Sequence, residues 1–269
     1  MFKDITIGQY VDGNSVIHRM DARVKILLSI LYIILLFVID SIALYAVFGV
    51  FTAFLVIISR VPFKYIIKGL KPMLYILIFT AVINLFVTGG ETVLWQSSLW
   101  KGLKITKEGL TIAVQMVLRL VFLVIGTSLL TLTTTPIMLT DGIEKLLKPL
   151  DAVKVPSHEI AMMMTIAIRF IPTLSEETEK IIKAQKARGA DFESGNIIKR
   201  TKAMVPILVP LFISAFKRAD DLAIAMDSRC YNSGKKRTRM KQMKMTWIDA
   251  AASGVMIAFS VFVIIIQRF

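Results

Sequence analysis

Few side chains in this sequence have the types and spacing that catalysis or metal binding requires. The 269 residues include a single cysteine, Cys230, and only two histidines, His18 and His158, which lie far apart in the chain. One cysteine excludes an intrachain disulfide framework and a multi-cysteine metal site. The sequence therefore predicts no metal centre and no cofactor held by this chain.

Adjacent carboxylates at Glu176-Glu177 and Asp220-Asp221 are the remaining candidates for acid–base chemistry. Neighbouring side chains on a helix point in different directions, so these pairs are more typical of a solvated face or of partner contacts. A G-x-x-x-x-G-K-[ST] phosphate loop is also missing, because Gly234-Lys235-Lys236 has no glycine at the required spacing before it. We predict no catalytic residues and no ATP site of that type.

Arginines flanked by small residues end two helical stretches, at Ala187-Arg188-Gly189 and at Ser228-Arg229-Cys230. A single arginine at a helix C-terminus usually just interacts with the macrodipole and the last carbonyl groups. Two helices that end alike favour a further role. Small neighbours let a partner approach closely, and a planar guanidinium can bind carboxylates or carbonyls through two hydrogen bonds.

Composition indicates a membrane protein. Hydrophobic residues make up 55% of the chain, the charged fraction is 19% and the mean hydropathy is +0.68, which gives more apolar surface than one soluble core could bury. The net charge of +14 raises the alternative of nucleic-acid binding, but a basic nucleic-acid domain is rarely this hydrophobic. We therefore predict an all-α, multi-pass cell-membrane protein with basic cytosolic loops and no nucleic-acid partner.

The apolar regions predict about five transmembrane helices. The first region, Val24–Ile58, is interrupted only at Asp40-Ser41 and is too long for one crossing of roughly 20 residues, so it predicts two short antiparallel helices. The other predicted spans are Met73–Thr88, Gly109–Thr134 and Thr246–Ile266. With the N-terminus inside, this topology places 28 of the 33 lysines and arginines in cytosolic segments, and the C-terminus outside.

The part of the chain between the fourth and fifth spans predicts a separate helical region. We divide the chain into a membrane domain at residues 1–135, a cytosolic or interfacial region of long helices at 136–245, and a last transmembrane helix at 246–269. Within the middle region, the apolar runs Ile160–Ile171 and Ala203–Phe216 have only about 12 to 14 residues, too few to cross.

Each short apolar run continues into a charged stretch without a strong breaker, which predicts two long helices, roughly His158–Arg188 and Lys202–Arg229. Ser157 is a plausible N-cap of the first helix, and Gly189 stands at the usual stop position. Prolines inside both stretches predict bends.

Five short motifs follow one another in the second half of the chain, at Thr133–Pro136, Ala167–Pro172, Ala184–Asp191, Ala215–Ala223 and Ala225–Tyr231. Their residues and their order resemble the transmembrane T component of energy-coupling factor transporters and the related cobalt and nickel permeases. The motifs extend over about 100 residues, and the hydrophobic layout extends the match over most of the chain. One residue departs from the pattern, because Cys230 stands where that family usually has glycine.

The resemblance implies a four-part importer. Two ATP-binding-cassette ATPase subunits would bind the ATP, a separate membrane subunit, the S component, would capture a vitamin or metal ion, and this chain would be the non-catalytic scaffold between them. Ala187-Arg188-Gly189 would then contact one ATPase and Ser228-Arg229-Cys230 the other. The alternatives are a self-sufficient secondary transporter, which would normally show internal repeats, and a membrane-bound enzyme, which would need convergent catalytic groups.

Two further basic features accompany this interpretation. Arg119 lies inside a predicted span, where a charge costs free energy unless it faces protein or water, so we expect it to pair within the bundle or to contact the S component. Snorkelling to the interface is the alternative. The run Lys235–Lys244 predicts a cytosolic contact with anionic membrane lipid.

Overall fold

The computed structural model describes residues 10–88, 92–96, 104–153, 156–192, 194, 196–231 and 244–268. Contacts within the chain divide these residues into two compact units. The long-helix unit comprises the described residues of Leu146–Gln242, and the bundle unit comprises those of Gly8–Lys145 and Met243–Phe269. Helices dominate both units, which confirms the predicted all-α, polytopic fold.

Ten α-helices occur in the described residues, and they are numbered in chain order. They are α1 (Val16–Arg19), α2 (Ala22–Val38), α3 (Ile42–Ser59), α4 (Phe63–Leu70), α5 (Leu74–Val87), α6 (Lys107–Thr133), α7 (Pro136–Leu147), α8 (Ser157–Ala187), α9 (Ile197–Ser228) and α10 (Trp247–Arg268). Short 3₁₀ segments lie at Lys71–Met73 and Lys148–Val153. The loop before α6 adds an antiparallel pair that the sequence did not predict, β1 (Val93–Gln96) and β2 (Lys104–Thr106).

Four helical segments among the described residues are long and apolar enough to cross a membrane: Ile42–Ser59, Phe63–Val87, Lys107–Thr133 and Trp247–Arg268. The second segment begins ten residues before the predicted start at Met73, because Phe63–Leu70 is also helical. This added stretch includes Lys64 and Lys68 and buries Ile66. Pro72 is accommodated in the 3₁₀ segment, so the helix continues into α5.

The first apolar region forms two helices, α2 and α3, as predicted. Residues at comparable distances on either side of the turn meet: Tyr32 Oη and Thr52 Oγ1 are 2.9 Å apart, and the rings of Tyr32 and Phe48 are 4.8 Å apart. The two helices are therefore antiparallel. The 17 residues of α2 correspond to about 25 Å of helix, within the lower end of the length needed for a span.

The bundle unit has a small core and a large apolar surface. Leu36, Tyr45 and Phe48 are fully buried where α2, α3 and α10 pack together with α6. By contrast, Ile57 and Val87 are about three-quarters exposed, at 74% and 76%. Because helices satisfy their own backbone hydrogen bonds, such side chains can face hydrocarbon without cost.

A buried polar network joins three helix ends in the bundle unit. The Asp249 carboxylate accepts hydrogen bonds from the backbone N–H groups of Asp21 at 2.8 Å and of Thr246 at 2.7 Å. The Thr246 hydroxyl also donates to the Asp249 carboxylate at 2.8 Å, so Asp249 holds the start of α10 through both polar groups of Thr246. Lys25 Nζ donates to the carbonyl of Thr133, the last residue of α6, at 2.9 Å. The network fixes the starts of α2 and α10 and the end of α6 to one another.

In the long-helix unit, α8 and α9 have 31 and 32 residues and contain the predicted internal prolines, Pro172 in α8 and Pro206 and Pro210 in α9. The prediction that Ser157 caps α8 is wrong by one position. Pro156 is the N-cap residue and Ser157 is the first helical residue. The Ser157 N–H instead donates to the Asp151 carboxylate at 3.2 Å, so an acidic side chain from the preceding segment stabilises this helix start.

Candidate functional site

The end of α8 has the backbone structure of a Schellman motif. Arg188 is the C-cap residue, and Gly189 follows it with φ +84°. The Gly189 N–H donates to the Lys186 carbonyl at 3.0 Å, and the Ala190 N–H donates to the Gln185 carbonyl at 3.0 Å. These two bonds satisfy carbonyl groups that a helix end would leave unpaired. The predicted stop at Gly189 is confirmed.

The end of α9 repeats the same motif. Arg229 follows the last helical residue, and Cys230 has φ +54°. The Cys230 N–H donates to the Asp227 carbonyl at 2.9 Å, and the Tyr231 N–H donates to the Met226 carbonyl at 2.9 Å. Arg188 and Arg229 therefore occupy equivalent positions in two copies of one cap.

The backbone conformation at the position after each arginine favours glycine. A Cβ atom built on Gly189 would have nothing within 4 Å, so space within the chain does not demand glycine there. A left-handed conformation does favour glycine, because a side chain in that region costs free energy. Cys230 adopts the same conformation without that advantage, and its thiol is free and exposed.

Both arginines are available to a partner. The six residues of the two motifs are exposed, namely Ala187, Arg188, Gly189, Ser228, Arg229 and Cys230. Within the described part of the chain, neither arginine side chain makes a hydrogen bond or ion pair, whereas the Ser228 hydroxyl donates back to the Ala225 carbonyl at 3.1 Å. Each motif thus presents one free guanidinium beside small side chains. That arrangement can bind a carboxylate or a row of carbonyl oxygens.

The long helices α8 and α9 pack antiparallel. Glu177 of α8 contacts Ser214 and Arg218 of α9, while Met162, near the start of α8, accepts a hydrogen bond at its sulfur from the Tyr231 hydroxyl at 2.7 Å. An earlier residue of α8, Met162, therefore contacts a later residue of the α9 end, Tyr231, which is the pattern of antiparallel helices. Since Tyr231 follows the second arginine motif, that motif lies near the start of α8 and the first lies at its end. Arg188 lies eleven residues beyond Glu177 and Arg229 lies eleven residues beyond Arg218, so the two motifs are separated by about 33 Å along the helix pair.

Glu177 is the residue that holds the middle of this helix pair. Its carboxylate accepts a hydrogen bond from the Ser214 hydroxyl at 2.5 Å, and its second oxygen lies 3.0 Å from an Arg218 guanidinium nitrogen. The Ser214 hydrogen bond, together with the Arg218 charge, lowers the pKa of Glu177 below its usual value. Sequence reasoning missed this cluster, since it treated Glu176-Glu177 as an ordinary pair. The spacing of Ser214 and Arg218, four residues apart on one helix face, was the available indication.

Arg119 pairs inside the bundle unit, one of its two predicted environments. Its Nε donates to the Tyr45 hydroxyl at 2.9 Å, and a terminal nitrogen donates to the carbonyl of Ile39, the C-cap residue of α2, at 3.1 Å. The guanidinium also lies 5.6 Å from the centre of the Phe37 ring and 3.9 Å from the Asp40 carboxylate. Arg119 therefore caps α2 from α6.

Metal-ligand geometry is absent from the described residues, which contain no group of three or more histidine, cysteine, aspartate or glutamate side chains that could hold an ion. The predicted lipid contact at Lys235–Lys244 lies, apart from Lys244, outside the described residues. The two arginine motifs remain the candidate functional site, and they are two separate surfaces within one helix pair.

Fold and site define a multi-pass helical membrane protein that presents two equivalent arginine ends. Comparison with known proteins agrees with this class. A family model described as cobalt transport protein, CbiQ, matches residues 13–240. A protein of Clostridium kluyveri named energy-coupling factor transporter transmembrane protein EcfT is 60% identical over 253 residues, which are 94% of this chain and 93% of that protein.

Proteins of the same name from other bacteria match at lower identity. The one from Ruminiclostridium cellulolyticum is 54% identical over 267 residues, covering 99% of this chain and 98% of its own length. The one from Bacillus subtilis is 46% identical over 251 residues, covering 93% and 94%. The chain therefore belongs to the CbiQ family, among the transmembrane proteins of energy-coupling factor transporters. It is a membrane component of a transporter, as the sequence motifs indicated.

Proposed function

We propose that this chain is the scaffold that couples ATP hydrolysis to uptake in an energy-coupling factor importer. Two ATP-binding-cassette ATPase subunits bind and hydrolyse the ATP. A separate membrane S component captures a vitamin or metal ion. This chain joins them and transmits the movement of the ATPases, and it performs no catalysis itself.

One observation carries the proposal: the same Schellman cap with the same free arginine occurs twice, at Arg188 and at Arg229. One surface on a single chain can bind only one of two like ATPases, so the chain needs a second surface of the same kind for the other. Two equivalent docking ends, about 33 Å apart along the helix pair, give each like partner a surface of its own. Arg188 with its neighbours would contact one ATPase, and Arg229 with its neighbours the other.

The chemistry of the two ends suits docking onto a protein groove. Each cap satisfies its own backbone carbonyls, so the arginine side chain is not needed to stabilise the helix end and is free for an external acceptor. A charge-assisted hydrogen bond contributes about 1.5–3 kcal/mol when it is desolvated in an interface. Arg188→Ala or Arg229→Ala should therefore weaken binding of one ATPase by about tenfold or more.

The experiment measures ATPase binding and transport in the reconstituted complex. Arg188→Ala and Arg229→Ala should each lower substrate uptake into vesicles, and the double variant should release the ATPases more completely than either single variant. Lysine replacements should restore little, because an ammonium cannot form the two-pronged contact of a guanidinium. Binding of the S component and insertion into the membrane should be retained.

Matched controls are Lys183→Ala on α8 and Lys217→Ala on α9, each of which removes one exposed positive charge away from the caps. These two variants should transport normally. Full transport by both arginine variants with an intact complex would refute the docking role. ATP hydrolysis by the purified chain without the ATPases, or substrate transport by that chain alone, would refute the scaffold role.

A further inference from the structure

The cluster of Glu177, Ser214 and Arg218 occupies a particular place in the helix pair. Both carboxylate oxygens of Glu177 are engaged by α9, one by the Ser214 hydroxyl at 2.5 Å and one by Arg218 at 3.0 Å. Arg218 Nε also lies 3.4 Å from the Ser214 hydroxyl, which closes a three-membered ring of contacts. Such an arrangement fixes the lateral position and the register of the two helices.

The cluster is also equidistant from the two arginine ends. Arg188 follows Glu177 by eleven residues in α8, and Arg229 follows Arg218 by eleven residues in α9. Eleven residues are about three helical turns and about 16 Å, so on each helix the cluster residue and the arginine share a face. Because α8 and α9 are antiparallel, the two arginine ends extend from the cluster in opposite directions.

We propose that Glu177, Ser214 and Arg218 form the pivot of the helix pair and set the distance and angle between Arg188 and Arg229. These three are positioning residues, since none of them would touch an ATPase or the substrate. The inference rests on the proposed function, because the distance between the arginines matters only if both are docking ends. A change at the pivot would alter how closely movement at one end follows movement at the other.

Burial supports a positional role over a purely stabilising one. The side chains of Glu177 and Arg218 are 25% and 39% exposed, and ion pairs that solvent reaches contribute little to folding stability. Removing the pair should therefore leave both helices folded, since each has its own capped end. What is lost is the directional contact that holds one relative orientation of α8 and α9.

The test compares pivot variants in the full complex with both ATPases and the S component. Glu177→Gln keeps the shape and removes the charge, Ser214→Ala removes one contact, and the exchange Glu177→Arg with Arg218→Glu reverses the pair. Glu176→Gln is the matched control, because Glu176 is adjacent but exposed and outside the cluster. Spin labels at Lys183→Cys and Ala225→Cys, in a Cys230→Ser background, report the distance between the helix ends.

We expect Glu177→Gln and Ser214→Ala to broaden or shift the distance distribution. The ATP hydrolysed per substrate imported should rise roughly two- to five-fold, the size expected for losing one partly exposed charge-assisted contact between the helices. The ATPases should stay bound. The charge exchange should recover a narrow distribution and part of the coupling, and Glu176→Gln should match the unmodified protein.

Two outcomes separate the pivot from the docking role on which it depends. Loss of ATPase binding in the Arg188 and Arg229 variants, combined with unchanged distances and unchanged coupling in Glu177→Gln and Ser214→Ala, overturns the pivot alone. Normal ATPase binding in the arginine variants overturns the docking role whatever the pivot variants do. If the exchange variant does not fold, Ser214→Ala, which preserves the charge pair, still decides the pivot.

Discussion

Replacing Cys230 by glycine should stabilise the end of α9. Cys230 has φ +54° at the position where the equivalent cap on α8 has Gly189 at φ +84°. A residue with a side chain pays about 1–2 kcal/mol in this region. Glycine avoids that strain but loses about 0.5–1 kcal/mol through its greater freedom in the unfolded chain. The difference favours glycine by about 0.5–1 kcal/mol, or a two- to five-fold shift in the local opening equilibrium.

Hydrogen exchange measured by mass spectrometry reports this shift directly. The amide protons of residue 230 and Tyr231 donate to the carbonyls of Asp227 and Met226, so they exchange only when the cap opens. Cys230→Gly should slow their exchange about two- to five-fold relative to the unmodified protein, by the free-energy difference above. The rest of α9 should be unaffected, because the substitution changes no side-chain contact along the helix.

Two further variants separate backbone strain from thiol chemistry. Cys230→Ser keeps a side chain in the left-handed conformation and should leave exchange unchanged. Gly189→Cys introduces the same strain into the α8 cap, where a Cβ atom meets no other atom within 4 Å, and should speed exchange there. Faster exchange in Cys230→Gly, or no effect of Gly189→Cys, would refute the strain argument.

Two other predictions concern the bundle unit, and both are measured by thermal unfolding of the purified protein in mild detergent. Arg119→Met should destabilise it by about 1–3 kcal/mol, because the Ile39 carbonyl and the buried Tyr45 hydroxyl both lose the group that donates to them. Adding Tyr45→Phe should recover part of this loss, since it removes one of the two acceptors left without a donor. An unchanged unfolding temperature in Arg119→Met would mean that Arg119 only snorkels. Asp249→Ala should cost a similar amount, about 1.5–3 kcal/mol, because it leaves the N–H groups of Asp21 and Thr246 without their charged acceptor, whereas Asp249→Asn should cost less.

The membrane helices were predictable because lipid imposes a simple rule. A segment in hydrocarbon must satisfy every backbone hydrogen bond internally and expose apolar side chains, so hydropathy alone locates α3, α6 and α10 to within a few residues. The start of the segment Phe63–Val87 was less predictable. Lys64 and Lys68 made Phe63–Leu70 resemble a cytosolic segment, although the helix continues through it and buries Ile66.

Contacts between distant residues account for what the sequence did not reveal. The cap of α8 was misplaced because the stabilising carboxylate comes from Asp151, six residues before the helix start. Glu176 and Glu177 look alike in sequence, yet only Glu177 faces α9 and binds Arg218. The partner of Arg119 could not be chosen either, since Tyr45 and Ile39 belong to other helices.

The two arginine ends are alike in chemistry, but the free energy needed to open the helix cap differs between them. The two Schellman hydrogen bonds of each end have closely similar lengths, 3.0 Å on α8 and 2.9 Å on α9, so these bonds do not distinguish the ends. The residue after the arginine does, because Gly189 accepts the left-handed conformation and Cys230 is strained by it. The α9 end should therefore open more readily than the α8 end. A partner that binds only the formed cap would have to close the α9 cap more often than the α8 cap, which lowers its affinity for the Arg229 end. Cys230→Gly would remove this difference between the two ends.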